Sequence, residues 1–198
     1  MLAEPDCLSK TLGLILAGGR SSRMGVDKST LNLAGVSFLQ LAINRFESIG
    51  IKNQVISSNT LKGALTDRLI DKGPLAALDA VLNLPEHRLA NVDSLLVVPI
   101  DMPVFPADSL KQLALQGREQ HSACYFQSHP MPFFIILDDN FKQTLNGQIQ
   151  SNDRSIFSLL KKLAATEIEL SEDQISQHAF YNVNTPEQMQ QVKQMFPC

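Results

Sequence analysis

No segment of this 198-residue chain constrains the fold more than SLLVVPI, residues 94–100. It carries no charge and shows no polar alternation, and it stops abruptly at Asp101-Met102-Pro103. A strand with one wet face alternates apolar and polar side chains. A run that is apolar throughout predicts a strand covered on both faces, central in a mostly parallel sheet.

The rest of the chain supplies neighbours for that strand. TLGLILA, 11–17, reads as a second buried strand, ended by Gly18-Gly19. After Gly35, the residues Phe38, Leu39, Leu41, Ala42, Ile43 and Phe46 recur at helical spacing, and the helix should stop near Gly50. Strands are expected at 53–57 and, briefly, at 68–70. Gly73-Pro74 opens a helix to about 84, with Pro in its first turn. Another helix is expected over 107–116, strands around 124–126 and 133–137, and helices over 138–146 and 155–164. Strands at 168–170 and 179–183 and a last helix from Pro186 to about Met195 complete the chain. Strands alternating with helices predict an α/β fold: a three-layer, Rossmann-like sandwich with a mostly parallel central sheet. At roughly 100–200 residues per domain, 1–198 is expected to be a single domain, with 1–10 a flexible stub.

Composition removes several function classes. With 17 Lys+Arg against 20 Asp+Glu the net charge is −3, and no basic stripe stands out, so a nucleic-acid partner is not expected. The run of apolar residues that a membrane span needs is absent, and MLAEPDCLSK has acids but no apolar core of a signal peptide. Cys7, Cys124 and Cys198 are far apart and odd in number, which fits neither a CxxC metal site nor a disulfide framework. Reduced thiols and a cytoplasmic location are the expectation.

In open α/β sheets ligands bind beyond the C-terminal ends of the strands. That directs attention to 18–28, 57–59, Asp71 and Asp101. The stretch LAGGRSSRMGVDK, 16–28, joins Gly18, Gly19 and Gly25 to Arg20, Arg23 and Lys28. Glycines let backbone N–H groups close around a phosphate, and three cations can neutralise a triphosphate. The spacing is neither GxxxxGK[ST] nor GxGxxG; the competing reading is a solvated surface loop. Asp101, past the central strand, suits a Mg2+ ion that takes one or two carboxylates plus substrate phosphates, or else caps its own turn. Asp71 either accepts hydrogen bonds from a base or ribose or is an acid favoured near a helix N-terminus. Asn184-Thr185-Pro186-Glu187 is helix-start chemistry. It leaves Asn182 unexplained, as an oxygen donor to a metal or a phosphate-positioning group. Of the four histidines only His129, ahead of the apolar PFFIIL, merits a functional role.

Taken in order, LAGGRSSRMGVDK, IDKGPLAAL, VVPIDMP, the His129-Pro130 pair and NVNTPE resemble the nucleotidyltransferases with LAGGxSxRMGxDK openings. More narrowly, the chain resembles the molybdenum cofactor guanylyltransferases, over nearly its whole length. The resemblance implies a nucleotide-diphospho-sugar transferase type of fold, with a nucleotide-binding half (11–105) and an acceptor-binding half (106–198). It implies Mg2+-dependent transfer of GMP from GTP to the phosphate of molybdopterin. It also implies possible contact with apo-molybdoenzymes and their chaperones, in a monomer or weak oligomer. By position, Leu16, Ala17, Gly18, Gly19, Arg20, Lys28, Ser57, Asp71 and Asp101 would hold the nucleotide. Arg23, Lys28 and Asp101 would be catalytic, Asp101 would hold the metal, and His129, Arg154, Asn182 and Asn184 would face the acceptor.

The chain departs from that pattern around the base. Where the family often has Asn at the end of the second strand, this chain has Ser57-Ser58, with Asn59 following. Only Lys72 separates Asp71 from Gly73, where several residues are usual, and Ala77 replaces a common Gly. The alternatives kept open are CMP transfer to molybdopterin, nucleotidyl transfer to a sugar phosphate, and a non-catalytic nucleotide-binding or cofactor-delivery protein.

Overall fold

A computed structural model of the chain describes residues 7–18, 28–151, 153–169 and 179–196. Six strands form one sheet: β1 (Thr11–Leu16), β4 (Gln54–Ser57), β5 (Ser94–Pro99), β6 (Cys124–Phe126), β7 (His129–Ile136) and β8 (Thr166–Ile168). Their order is β4-β1-β5-β7-β6-β8. Every pairing is parallel except those of β7, which runs against β5 and β6. The reversal comes from the tight turn Gln127-Ser128, where Ser128 has φ 64° and Phe126 faces His129.

The continuous apolar runs are explained by two cores, one on each face. Along β5, Leu96 and Val98 point into one and Leu95 and Val97 into the other. The first core is closed by α1 (Phe38–Ser48), α4 (Ala107–Glu119) and α7 (Pro186–Met195); the second by α2 (Pro74–Leu82), α5 (Asp139–Gln150) and α6 (Ile156–Lys162). Helix α1 buries Phe38, Ala42 and Phe46, four residues apart, and its N-cap Ser37 accepts from Gln40 N at 3.1 Å. Glycine is required where helices lie closest to the sheet. A Cβ on Gly13 of β1 would meet Phe46 at 2.8 Å, and one on Gly117 of α4 would meet Phe134 at 2.2 Å.

Several expectations need correction. No strand forms at 68–70, where Ile70 is 89% exposed; instead Leu65 makes an isolated parallel bridge to Ser57. Residues 179–183 are not a strand either. Val183 docks on the loop after β5 through one backbone bond, N to Asp101 O at 2.8 Å, rather than on a strand. Strand β8 lies at 166–168, two residues earlier than expected, and Leu170 is outside the described residues. The sequence reading also missed a hairpin of β2 (Asn32–Leu33) and β3 (Val36–Ser37), turned by Ala34 and Gly35 at φ 51° and 79°. It missed the short helix α3 (Glu86–Leu89) as well.

Candidate active site

The parallel strands deliver their C-terminal ends to one edge of the sheet, and of the expected site residues Leu16, Ala17, Ser57, Asp101, Lys28 and Asn184 are joined there by hydrogen bonds. Main-chain bonds tie three strand ends together. Ala17 N donates to Ser57 O at 2.9 Å, and Ile100 N to Leu16 O at 3.1 Å. Gly18 leaves β1 against Ser57 and Ser58; a Cβ there would lie 3.7 Å from Ser57 O. Gly19, Arg20 and Arg23, with Gly25, lie outside the described residues, as does Cys198.

The described chain resumes at Lys28, in a single 3-10 turn, Lys28–Thr30. Lys28 Nζ donates to Asp101 Oδ2 at 3.1 Å and also to Asn184 Oδ1. The two charged side chains are 16% and 24% exposed. They are therefore reachable from solvent yet held in a less polar setting than the surface. Three segments remote in sequence thus converge. Asn184 is fixed by the start of α7, where its N–H donates to Gln188 Oε1 at 2.7 Å. Thr185 and Gln188 complete a reciprocal capping box there. The helix-start chemistry of NTPE therefore holds a side chain against Lys28 and Asp101.

A second cluster stands at the end of β4. Ser57, buried, donates from Oγ to Asp67 Oδ1 at 3.4 Å, and Asn59 Nδ2 donates to Asp67 Oδ2 at 2.9 Å. Asp67 N in turn donates to Asn59 Oδ1 at 2.8 Å. Asn59 lies in the stretch 57–59 singled out from sequence; Asp67 was missed, although a signal was present. Five residues separate Asp67 from Gly73, the kind of gap that Asp71 lacks. Asp71 is exposed, with φ 57°, on the turn into α2. Next to it Lys72 donates to Ser151 O at 3.1 Å and to Ile149 O, tying this turn to the end of α5.

On the other side of β5, His129 begins β7 and stacks on Phe180, with ring centroids 3.9 Å apart. Phe180 in turn meets Phe105 at 5.1 Å and Phe126 at 5.6 Å. Burial pushes the His129 imidazole below its ordinary range, so it is neutral at pH 7. Asn182 is half-buried in the stretch before α7. Arg154 is exposed between α5 and α6. A separate 530 Å³ groove, lined by Glu47, Lys52, Gln54 and Arg88 among others, flanks β4 and includes none of the sequence-predicted site residues. Cys7 is exposed, and Cys124 is buried, its thiol pushed up to about 12 by burial.

Among the described residues no three His, Cys, Asp or Glu side chains cluster as a metal cage, and no helix is long and apolar enough to cross a membrane. What the edge offers, among the described residues, is an ammonium–carboxylate pair, an amide oxygen and a strand that ends just before Gly18. Those features stand beyond the C-terminal ends of the strands, the edge at which open α/β sheets bind their ligands.

Comparison with known proteins gives the chain a family. The MobA-like NTP transferase domain matches residues 13–167, and the chain belongs to this family. A molybdenum cofactor guanylyltransferase of Xanthomonas euvesicatoria pv. vesicatoria is 32% identical over 179 residues, spanning 89% of this chain and 90% of the relative. One from Yersinia pestis is 32% identical over 186 residues, spanning 88% and 90%. Molybdopterin-guanine dinucleotide biosynthesis protein A from Archaeoglobus fulgidus shares the fold: TM-score 0.67, 18% identity, 93% of this chain and 97% of that one.

Proposed function

We propose that this chain transfers GMP from GTP to the phosphate of molybdenum-bearing molybdopterin, releasing pyrophosphate and forming the guanine dinucleotide cofactor. The reading is supported by relatives named for that reaction and carried by one observation: Lys28, Asp101 and Asn184 meet at the end of the central strand. An oxygen of the acceptor phosphate attacks the α-phosphorus, forming a new P–O–P bond as the α–β bridge breaks. The acceptor is already an anion, so no strong base is needed. The barrier is charge repulsion and alignment, which fixed cations and donors address.

Lys28 is the cation that follows the phosphates, joined in this proposal by Arg20 and Arg23. Asp101 would hold Mg2+. The donor set fits, because Mg2+ takes one or two carboxylates and fills its shell with phosphate oxygens and water. Here Lys28 engages only Oδ2 of Asp101, and the Asn184 amide oxygen stands on the same ammonium. When bound, the ion neutralises charge on phosphate oxygens. Leu16, Ala17, Gly18 and Gly19 present main chain to the nucleoside. Asp67, steadied by Ser57 and Asn59, is the carboxylate suited to the base, with Asp71 at the rim. A carboxylate accepts the adjacent N–H groups at N1 and N2 of guanine, whereas cytosine and adenine present an acceptor beside their donor. His129, Arg154 and Asn182 serve the acceptor side. In this assignment residues 11–105 handle the nucleotide and 106–198 the acceptor, in a cytoplasmic protein that passes its product to apo-molybdoenzymes.

The test is to incubate the protein with Mg2+, molybdenum-loaded molybdopterin and each of GTP, CTP, ATP and UTP, and to weigh the product by mass spectrometry. A guanine dinucleotide from GTP is expected. A cytosine dinucleotide would move the reading to CMP transfer, and no dinucleotide from any nucleotide would remove it.

A further inference from the structure

Arg45 lies in the last turn of α1, on no stretch that the reaction accounts for. Its guanidinium reaches the loop that follows β5. Nη1 donates to Met102 O at 3.1 Å, and Nη2 donates to Pro103 O. These are the first two carbonyls after Asp101. Among the described residues no carboxylate forms an ion pair with Arg45. Burial lowers its pKa to about 10, so it stays charged at neutral pH. A half-buried cation given only neutral carbonyls is a costly way to fill space. A planar fork with two donors nevertheless fixes two successive peptide planes, as a point charge such as Lys cannot.

Up to residue 101 the segment is held by two backbone bonds. Ile100 N donates to Leu16 O at 3.1 Å, and Asp101 O accepts from Val183 N at 2.8 Å. Beyond residue 101 the buried side chains of Met102 and Phe105 anchor the chain, and Phe105 N donates to Met102 O at 3.3 Å, but the Pro103 carbonyl is held by Arg45. We propose that Arg45 is a positioning residue: by clamping the carbonyls of Met102 and Pro103 it sets the direction in which the Asp101 carboxylate faces Lys28 and an incoming nucleotide. This rests on the transferase reading above.

The variants are Arg45→Met, which keeps bulk and removes both donors, and Arg45→Lys, which keeps charge and loses the fork. Where Arg45→Met does not fold, Arg45→Lys decides. The readouts are kcat and KM for GTP, thermal midpoint, and affinity of the GTP-bound protein for Mn2+ by electron paramagnetic resonance. A loss of alignment should lower kcat on the order of 10- to 100-fold. The KM for GTP should stay within about two-fold and Mn2+ binding should weaken, and in an Asp101→Asn background Arg45→Lys should change kcat by less than about two-fold. A folded Arg45→Lys protein with wild-type kcat and Mn2+ affinity overturns the proposal. So does an equal slowing of the wild-type and Asp101→Asn proteins, because Arg45 would then act independently of Asp101. A wild-type protein that forms no dinucleotide defeats the transferase reading instead, and the Mn2+ titration then decides Arg45 alone.

Discussion

The central strand β5 has an aspartate at each end, and the two are treated in opposite ways. Asp93, before the strand, is gripped by Arg118 through two bonds, Nη1 to Oδ1 at 2.7 Å and Nη2 to Oδ2 at 3.2 Å. Arg118 Nη1 also donates to Ser94 Oγ at 2.9 Å and Thr11 Oγ1 at 3.3 Å. Burial alone would raise the Asp93 carboxyl; the bonds from Arg118 and Ser94 outweigh it and hold it below the ordinary range. The backbone of Asp93 is paired as well, with Lys10 O at 3.0 Å and Leu137 N at 2.8 Å. Asp101, past the other end, meets a single ammonium at 3.1 Å. Lys is a compact charge on a flexible stem and can exchange a carboxylate oxygen for a phosphate oxygen. A bidentate Arg–carboxylate pair with both oxygens engaged belongs to architecture. A one-pronged Lys–carboxylate pair beside an amide oxygen, where β1 ends just before Gly18, has no such lock, and under the function proposed above it opens to phosphate.

The contrast can be broken most forcefully at Lys28. Lys28→Ala should slow GMP transfer roughly 10²–10³-fold, as loss of one preorganised donor does, with little change in thermal midpoint. Steady-state kinetics beside calorimetry checks both halves. Asp67→Asn comes next. Its amide puts donors on one side and an acceptor on the other, so selectivity for GTP over the other nucleotides should fall on the order of 10-fold, for a mismatched polar contact. Competition between GTP and ATP reads this directly.

At the closed end the expected effect is on stability and not on rate. Arg118→Ala should cost about 1 kcal/mol in a denaturant titration, held down by solvent screening because the Asp93 side chain is 48% exposed. Its kcat should match wild type. The smallest effect concerns His129. Its pKa is lowered in the fold, so below about pH 6.5 the unfolded chain binds the proton more readily and stability falls as pH drops. His129→Gln should flatten the change of thermal midpoint between pH 7 and pH 5, and an unchanged slope would contradict the stacked, neutral imidazole.

The sequence made the architecture legible where a pattern was local. The uncharged run of β5, the Gly18-Gly19 stop and the capping residues before α7 each carry their own physical reason. The failures are tertiary. AFYNV has strand composition, but Val183 finds the Asp101 loop instead of a neighbouring strand. Ile70 looks apolar enough for a strand and stands exposed beside the site. Among candidate site residues, Lys28, Asp101 and Asn184 were read in separate motifs, and only the fold brings them within bonding distance. Asp67 was hidden because its partnership with Asn59 spans a loop with no periodicity. Arg45 was invisible, since a charge on the wet face and a charge reaching a distant carbonyl look alike in one dimension.

Neutralising the two aspartates of β5 one at a time puts the account to its most direct test. Asp101→Asn and Asp93→Asn remove the same charge from opposite ends of one strand, and both are assayed for kcat of guanine dinucleotide formation and for thermal midpoint. The account predicts that Asp101→Asn loses roughly two orders of magnitude or more in kcat at a near-native midpoint, while Asp93→Asn keeps its kcat and melts earlier. Equal losses of rate in both, or full activity in Asp101→Asn, would contradict it.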